Sequence, residues 1–144
     1  MLAAVIEQAC AAIGASGGGF MRFDAASEEL VLQAPAFGVQ AEQVVSRYRV
    51  RLAEGGNAAR VFQSREPTIA NDAQHDPRFI QRFVRLFDTH NTITVPLVLN
   101  DRTLGIFQPS TNAQAISPLA IAMYWRCWRP CWRAPCTRCC WSHA

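Results

Sequence analysis

The decisive stretch spans residues 54–107. It reads Glu54-Gly55-Gly56, then Glu66-Pro67-Thr68-Ile69-Ala70-Asn71-Asp72, then His75-Asp76-Pro77-Arg78-Phe79. It continues with Thr92-Ile93-Thr94-Val95-Pro96-Leu97-Val98-Leu99, Asn100-Asp101-Arg102-Thr103 and Leu104-Gly105-Ile106-Phe107. Gly55 and Gly56 make a tight entry into a helix whose Ala58, Val61 and Phe62 share one face. Pro67 separates that helix from a short strand at Thr68, Ile69 and Ala70. Asp76 stands as a capping side chain before Pro77 in a first helical turn. Ile80, Phe83, Val84 and Phe87 recur at helical spacing, which predicts an amphipathic helix over 77–87 with Arg78, Gln81, Arg82 and Arg85 facing outward. Asn100-Asp101 supplies the turn between two apolar strands.

Working outward, Leu2, Val5, Ile6, Ala9, Cys10 and Ile13 lie close to helical spacing and end at Gly14, predicting a first helix over 2–14. Gly17-Gly18-Gly19 leads into an apolar strand, Asp24 to Ser27 makes a turn, and Glu29 to Gln33 returns as the hairpin partner. The triple glycine does not read as a phosphate cradle. No Gly-Lys-Ser follows it, and it enters a strand instead of opening a helix. Close packing of two elements is the simpler account. Residues 41–46 read as a short helical turn, and Tyr48-Arg49-Val50-Arg51-Leu52 alternates as a half-buried strand with both arginines on a solvated face. Helix, hairpin, strand, helix, strand, helix and hairpin in that order predict an α+β fold: a central antiparallel sheet with helices segregated by face.

In order and spacing these pieces resemble a GAF domain, the small-molecule-sensing module of many signalling proteins. The likeness is carried by the Glu-Gly-Gly entry, Glu66-Pro67 with Asn71-Asp72, Asp76-Pro77-Arg78-Phe79, the Val95-Pro96-Leu97 strand and Leu104-Gly105-Ile106-Phe107. It covers residues 1–107. It implies a GAF-like, PAS-related six-stranded antiparallel sheet, with terminal helices on one face and a ligand pocket on the other. It also implies homodimerisation through those terminal helices, and an output domain such as a histidine kinase, diguanylate cyclase or transcription activator after the last one.

Composition narrows the partners. The chain has 144 residues, a formal charge of +3 and no lysine. All eleven acids precede Arg102 and ten arginines lie at or before it, so this part sums to 10 − 11 = −1. The basicity is confined to Arg126, Arg129, Arg133 and Arg138, which argues against a nucleic-acid surface. No apolar run is long enough to span a membrane, and the N-terminus lacks a signal peptide's basic region, so a cytoplasmic domain without membrane association is expected.

After Phe107 the character of the chain changes. Residues 108–144 hold all four tryptophans, five of the six cysteines and no acid, where the resemblance implies a long amphipathic helix. Tyr and Cys codons end in a pyrimidine and Trp is TGG. Read one nucleotide earlier, the slots of Trp125, Trp128, Trp132, Cys140 and Trp141 therefore become leucine. Those of Arg126, Arg129 and Arg133 become alanine, a strongly helix-forming pattern. The expectation is a GAF-like domain over 1–107 and an aberrant, out-of-frame tail over 108–144, with the closing helix missing or disrupted. The alternative is a zinc site on Cys127, Cys131, Cys136 and Cys139, although only Cys136-x2-Cys139 has the favoured spacing.

The body offers no catalytic constellation. Its one cysteine, Cys10, falls on the first helix's buried face. The cysteines of the GAF relative that reduces free methionine sulfoxide, the cysteine that attaches a bilin, and the Asn-Lys-Phe-Asp-Glu signature of cyclic-nucleotide GAF domains have no counterpart in the body, residues 1–107. No cofactor is assigned. The expected function is a sensory or regulatory domain without catalysis of its own, binding a small molecule or signalling through dimerisation. Its alternative is a protein–protein interaction module without a ligand. A pocket is expected between the sheet and the 77–87 helix, lined by Phe79, Phe83, Thr92 and Thr94, with Asn71, Asp72 and His75 at its mouth. Sequencing the gene across the codons for Leu104 to Thr111 tests the tail. An extra or missing base that restores a leucine- and alanine-rich helix is expected. An unshifted gene whose product binds stoichiometric zinc would establish the metal reading instead.

Overall fold

The structure is a computed structural model that describes residues 2–38 and 47–111. The helical turn expected over 41–46, the tail from residue 112 and all four cysteines of the zinc alternative lie outside the described residues. Helix α1 (Leu2–Ala12) precedes β1 (Gly17–Asp24), β2 (Glu29–Leu32) and β3 (Arg49–Arg51). A 3-10 turn over Leu52–Glu54 leads into α2 (Gly56–Ser64), then β4 (Thr68–Ala70), α3 (Gln81–Leu86), β5 (Asn91–Leu99) and β6 (Arg102–Thr111). The six strands form one antiparallel sheet in the order β3-β2-β1-β6-β5-β4. Two three-stranded meanders thus meet along β1 and β6, and the three-residue edges β3 and β4 leave little backbone open for stray pairing.

The period of two along the strands divides the apolar side chains between two layers. On one face α1 sets Ile6, Ala9 and Cys10 against Ile93, Val95 and Leu97 of β5 and Phe107 of β6. On the other, Met21, Leu30, Leu32, Val50 and Ile106 meet Ala58 and Val61 of α2, with Ile80, Phe83 and Phe87 packed around them. The triple glycine lies within β1 and lets both layers approach it. A Cβ on Gly18 would sit 2.8 Å from Cys10 Sγ and 2.9 Å from Pro109 Cα, so any larger residue there would push α1 off the sheet. Arg49 and Arg51 each bond Glu29 on the neighbouring strand, at 3.3 and 3.2 Å, and remain exposed.

Three local expectations change. The helix expected over 77–87 starts only at Gln81, because Asp76 caps a turn instead of a helix. Its carboxylate accepts the Arg78 backbone N–H at 2.9 Å, Phe79 N–H bonds Asp76 O at 3.1 Å, and Ile80 is extended (φ −75, ψ 102). Gln81 turns inward, donating to Ala73 O and Asp76 O at 3.1 and 3.2 Å. Strand β6 runs past Phe107 to Thr111, with Gly17↔Ser110 and Gly18↔Pro109 paired in register. Proline has no N–H to offer a ladder. Accordingly β5 and β6 pair at Asn91↔Thr111 and Thr92↔Ser110 and resume only at Val95↔Phe107.

Asn57 fastens the helical layer to the sheet. It is 2% exposed, donates through Nδ2 to Thr94 Oγ1 of β5 at 2.8 Å, and accepts at Oδ1 from Thr68 Oγ1 of β4 at 2.6 Å. Buried polar groups without partners cost more than the bonds themselves return. Asn57→Ala is therefore expected to lower the unfolding free energy by about 2 kcal/mol, read as a reduced urea midpoint at unchanged slope. A loss under about 0.5 kcal/mol would show that both threonines are satisfied without it.

Candidate functional site

A cavity of about 400 Å³ lies between the β1–β6 face and the α2–α3 layer. Gly17, Gly18, Gly19 and Met21 of β1 and Gln108 and Ser110 of β6 form its floor. Ile80, Phe83, Val84 and Phe87 from in and around α3 form the roof, with Phe79, Asn57, Ala58, Tyr48 and Val50 along the sides. Tyr48 meets Phe83 and Phe87 edge-on, with ring centroids 4.3 and 4.9 Å apart, which gives the wall a fixed aromatic geometry. The Arg82 guanidinium lies 4.7 Å from the Phe83 ring centroid and pairs with Glu54, tying α3 to the entry of α2.

The polar groups of the lining are mostly neutral. Burial pushes the Tyr48 phenol above the ordinary tyrosine range, so it remains protonated. Gln108 Oε1 is sealed from solvent and accepts no hydrogen bond. Among the described residues the lining holds no arginine or histidine, and its one acid, Asp88, sits at the rim with its side chain 71% exposed. Asp88 Oδ1 lies 3.2 Å from His90 Nε2 and accepts from Gln74 Nε2 at 3.4 Å.

The residues expected at a pocket separate into three groups. Phe79 and Phe83 line the cavity. Thr92 and Thr94 are fully buried but outside the lining: Thr92 Oγ1 donates to Pro109 O at 2.9 Å, and Thr94 Oγ1 is held by Asn57. Asn71, Asp72 and His75 also lie outside it, in an exposed loop where His75 Nδ1 is 2.9 Å from Asp72 Oδ1. The reason is topological. The loop leaves β4 at the sheet edge and is held by Ala73 N–H on His90 O at 2.8 Å, whereas the cavity floor is β1 and β6, nearer the middle of the sheet.

Sequence reasoning missed Gly17 to Gly19, Tyr48, Gln108 and Ser110 as lining residues. The glycines did carry a readable signal, since glycine within a strand marks the close approach of another segment. Gln108 and Ser110 carried none, because they belong to the segment set apart after Phe107. Cys10 stands on the opposite face, its Sγ 3.7 Å from Gly17 O, and burial raises its thiol to about 11. It is the one cysteine among the described residues.

The comparisons with known proteins agree with this architecture. A family model described as the GAF domain matches residues 1–123. The chain belongs to the GAF domain family. No curated protein matches it. Among solved structures it is similar to the GAF domain of a Coxiella burnetii phosphoenolpyruvate-protein phosphotransferase, at 22% identity and a TM-score of 0.72, covering 85% of this chain and 73% of that one. The corresponding Acinetobacter domain has 18% identity and a TM-score of 0.69, covering 87% and 73%. Free methionine-R-sulfoxide reductase from Neisseria meningitidis, solved with its substrate, has 24% identity and a TM-score of 0.68, covering 85% and 68%. These likenesses establish the fold: a six-stranded antiparallel GAF sheet with helices packed against it.

The turn that delivers Phe79 to the cavity wall responds to acid. The Arg78 guanidinium, with Nε 3.0 Å from Asp76 Oδ1, and the Arg78 backbone N–H hold the Asp76 carboxyl below its ordinary range. A depressed folded-state pKa contributes stability above the unfolded value, near ~3.9, and that stability is lost as pH falls through the folded value. Asp76→Asn is therefore expected to be less stable than wild type at pH 7, with the difference shrinking below about pH 4. Urea midpoints at both pH values check this, and a constant difference would contradict it.

Proposed function

We propose that this GAF domain is a sensory, regulatory module that binds a small molecule in the cavity between the β1–β6 face and α3, with no catalysis of its own. One observation carries the reading. Among the described residues no side chain fills the space, and its size falls in the range of ligand sites, roughly 300–1,000 Å³. Its polar groups, among them Gln108, Ser110 and Tyr48, are spread around an apolar wall, the composition that orients a ligand without reacting with it. The sole described cysteine lies across the sheet from the cavity. Occupancy has a short route outward. Gly17 to Gly19 carry the cavity floor on one side of β1 and the α1 contact at Gly18 on the other. A cytoplasmic location suits such a module, and among the described residues no helix is long and apolar enough to cross a membrane.

Native mass spectrometry and thermal melts of the purified chain against a metabolite library test the proposal. At a hundred times its Kd, a one-site ligand contributes about 2.7 kcal/mol, a shift of several degrees. At least one compound is expected to bind one-to-one and to lose its effect in Ala36→Phe, which fills the cavity from the segment after β2. If no compound binds, the sensory reading fails and an interaction module with an empty cavity takes its place.

A further inference from the structure

The cavity carries a chemical signature that narrows its ligand beyond a small molecule. Its floor is the β1–β6 strand pair, where Gly19 lacks a side chain and so leaves room for Leu32, whose Cδ1 a Cβ would meet at 2.6 Å. Opposite stand the rings of Tyr48, Phe83 and Phe87, locked edge to face. Three rings grouped on one wall favour a planar guest, because a ring gains dispersion contact and edge-to-face packing against them.

Charge is disfavoured at the same cavity. Among the described residues no cationic side chain lines the space, so an anion would lose its hydration without a counter-charge. The Asp88 carboxylate lies at the exposed rim, already beside His90 and Gln74, and offers a cation no reason to enter.

Direction comes from Gln108. The gap in the β5–β6 ladder at Pro109 lies beside it, and its Oε1 is left as a sealed acceptor without a donor. An unmade hydrogen bond of this kind is a standing cost that a guest can remove once the terminal amide rotates into the cavity. We infer that the cavity takes an uncharged, planar heteroaromatic molecule, oriented by an N–H group that donates to the side-chain oxygen of Gln108. The inference rests on the sensory reading above and specifies its ligand.

Indole, 1-methylindole and indole-3-carboxylate separate the three elements of the claim, with affinities read by ligand-observed NMR on the full chain. Indole is expected to bind, 1-methylindole to bind about tenfold more weakly for want of the N–H, and the carboxylate to bind more weakly still. Gln108→Leu should bring indole and 1-methylindole within about twofold of each other, and Ala36→Phe should abolish both. If Gln108→Leu does not fold by circular dichroism, the indole against 1-methylindole ratio on wild type decides. Equal affinities for that pair, tighter binding of the carboxylate, or no binding of indole would overturn the inference. A library compound that is blocked by Ala36→Phe but is anionic, or indifferent to Gln108→Leu, would overturn it while leaving the sensory reading intact. A library without any binder would remove both.

Discussion

Asn57 occupies the point where three elements meet, and the layout of the cavity side of the sheet depends on how its amide is satisfied. The side chain is buried, so each of its polar atoms must find a partner inside the protein. It finds Thr94 on β5 and Thr68 on β4, and in doing so ties the first turn of α2 to the β4 edge of the sheet. The Gly55 cap of α2 offers no side chain to do this work, so the attachment comes from within the helix. With α2 fixed at that edge and α3 linked to it through Arg82 and Glu54, the helical layer spans the middle strands without collapsing onto them. The space left beneath is the cavity.

The second constraint is the bare surface of β1. Side chains at Gly17, Gly18 and Gly19 would intrude on both layers, towards Cys10 on one face and Leu32 on the other. Absent side chains permit α1 to close on one face, and Leu32 with the segment after β2 to close on the other, with a single strand between them. The partition is thin: one backbone separates the cavity from the helix on the other face.

Pro109 shows how a local irregularity becomes part of a site. A proline in an interior strand removes a ladder bond, and the pairing of β5 with β6 is interrupted there. Thr92 answers by donating its hydroxyl to the Pro109 carbonyl, while Gln108 beside it keeps an acceptor that nothing satisfies. The threonine expected to face a ligand thus serves the backbone, and the glutamine next to the proline faces the cavity in its place.

Much of the architecture was legible in the chain itself, because it rests on local chemistry. Helical spacing in 2–14, alternation in the strands, and the Asn100-Asp101 turn, which takes positive φ at both residues (49 and 60), all express forces acting within a few residues. Phe79 and Phe83 could be placed near a pocket through the GAF resemblance, which sets the pocket against the segment they belong to. The rest was decided by which strands lie side by side. Strand order puts the exposed loop bearing Asn71, Asp72 and His75 at the sheet edge, away from the floor of the cavity. It also brings β1 against β6, so that Gly19 and Gln108, far apart in sequence, become a register pair under one roof. Sequence determines periodicity and turns, which are local. A cavity is bounded by residues from distant segments, and only the packing of those segments, with their buried polar atoms satisfied or left wanting, decides which of them meet.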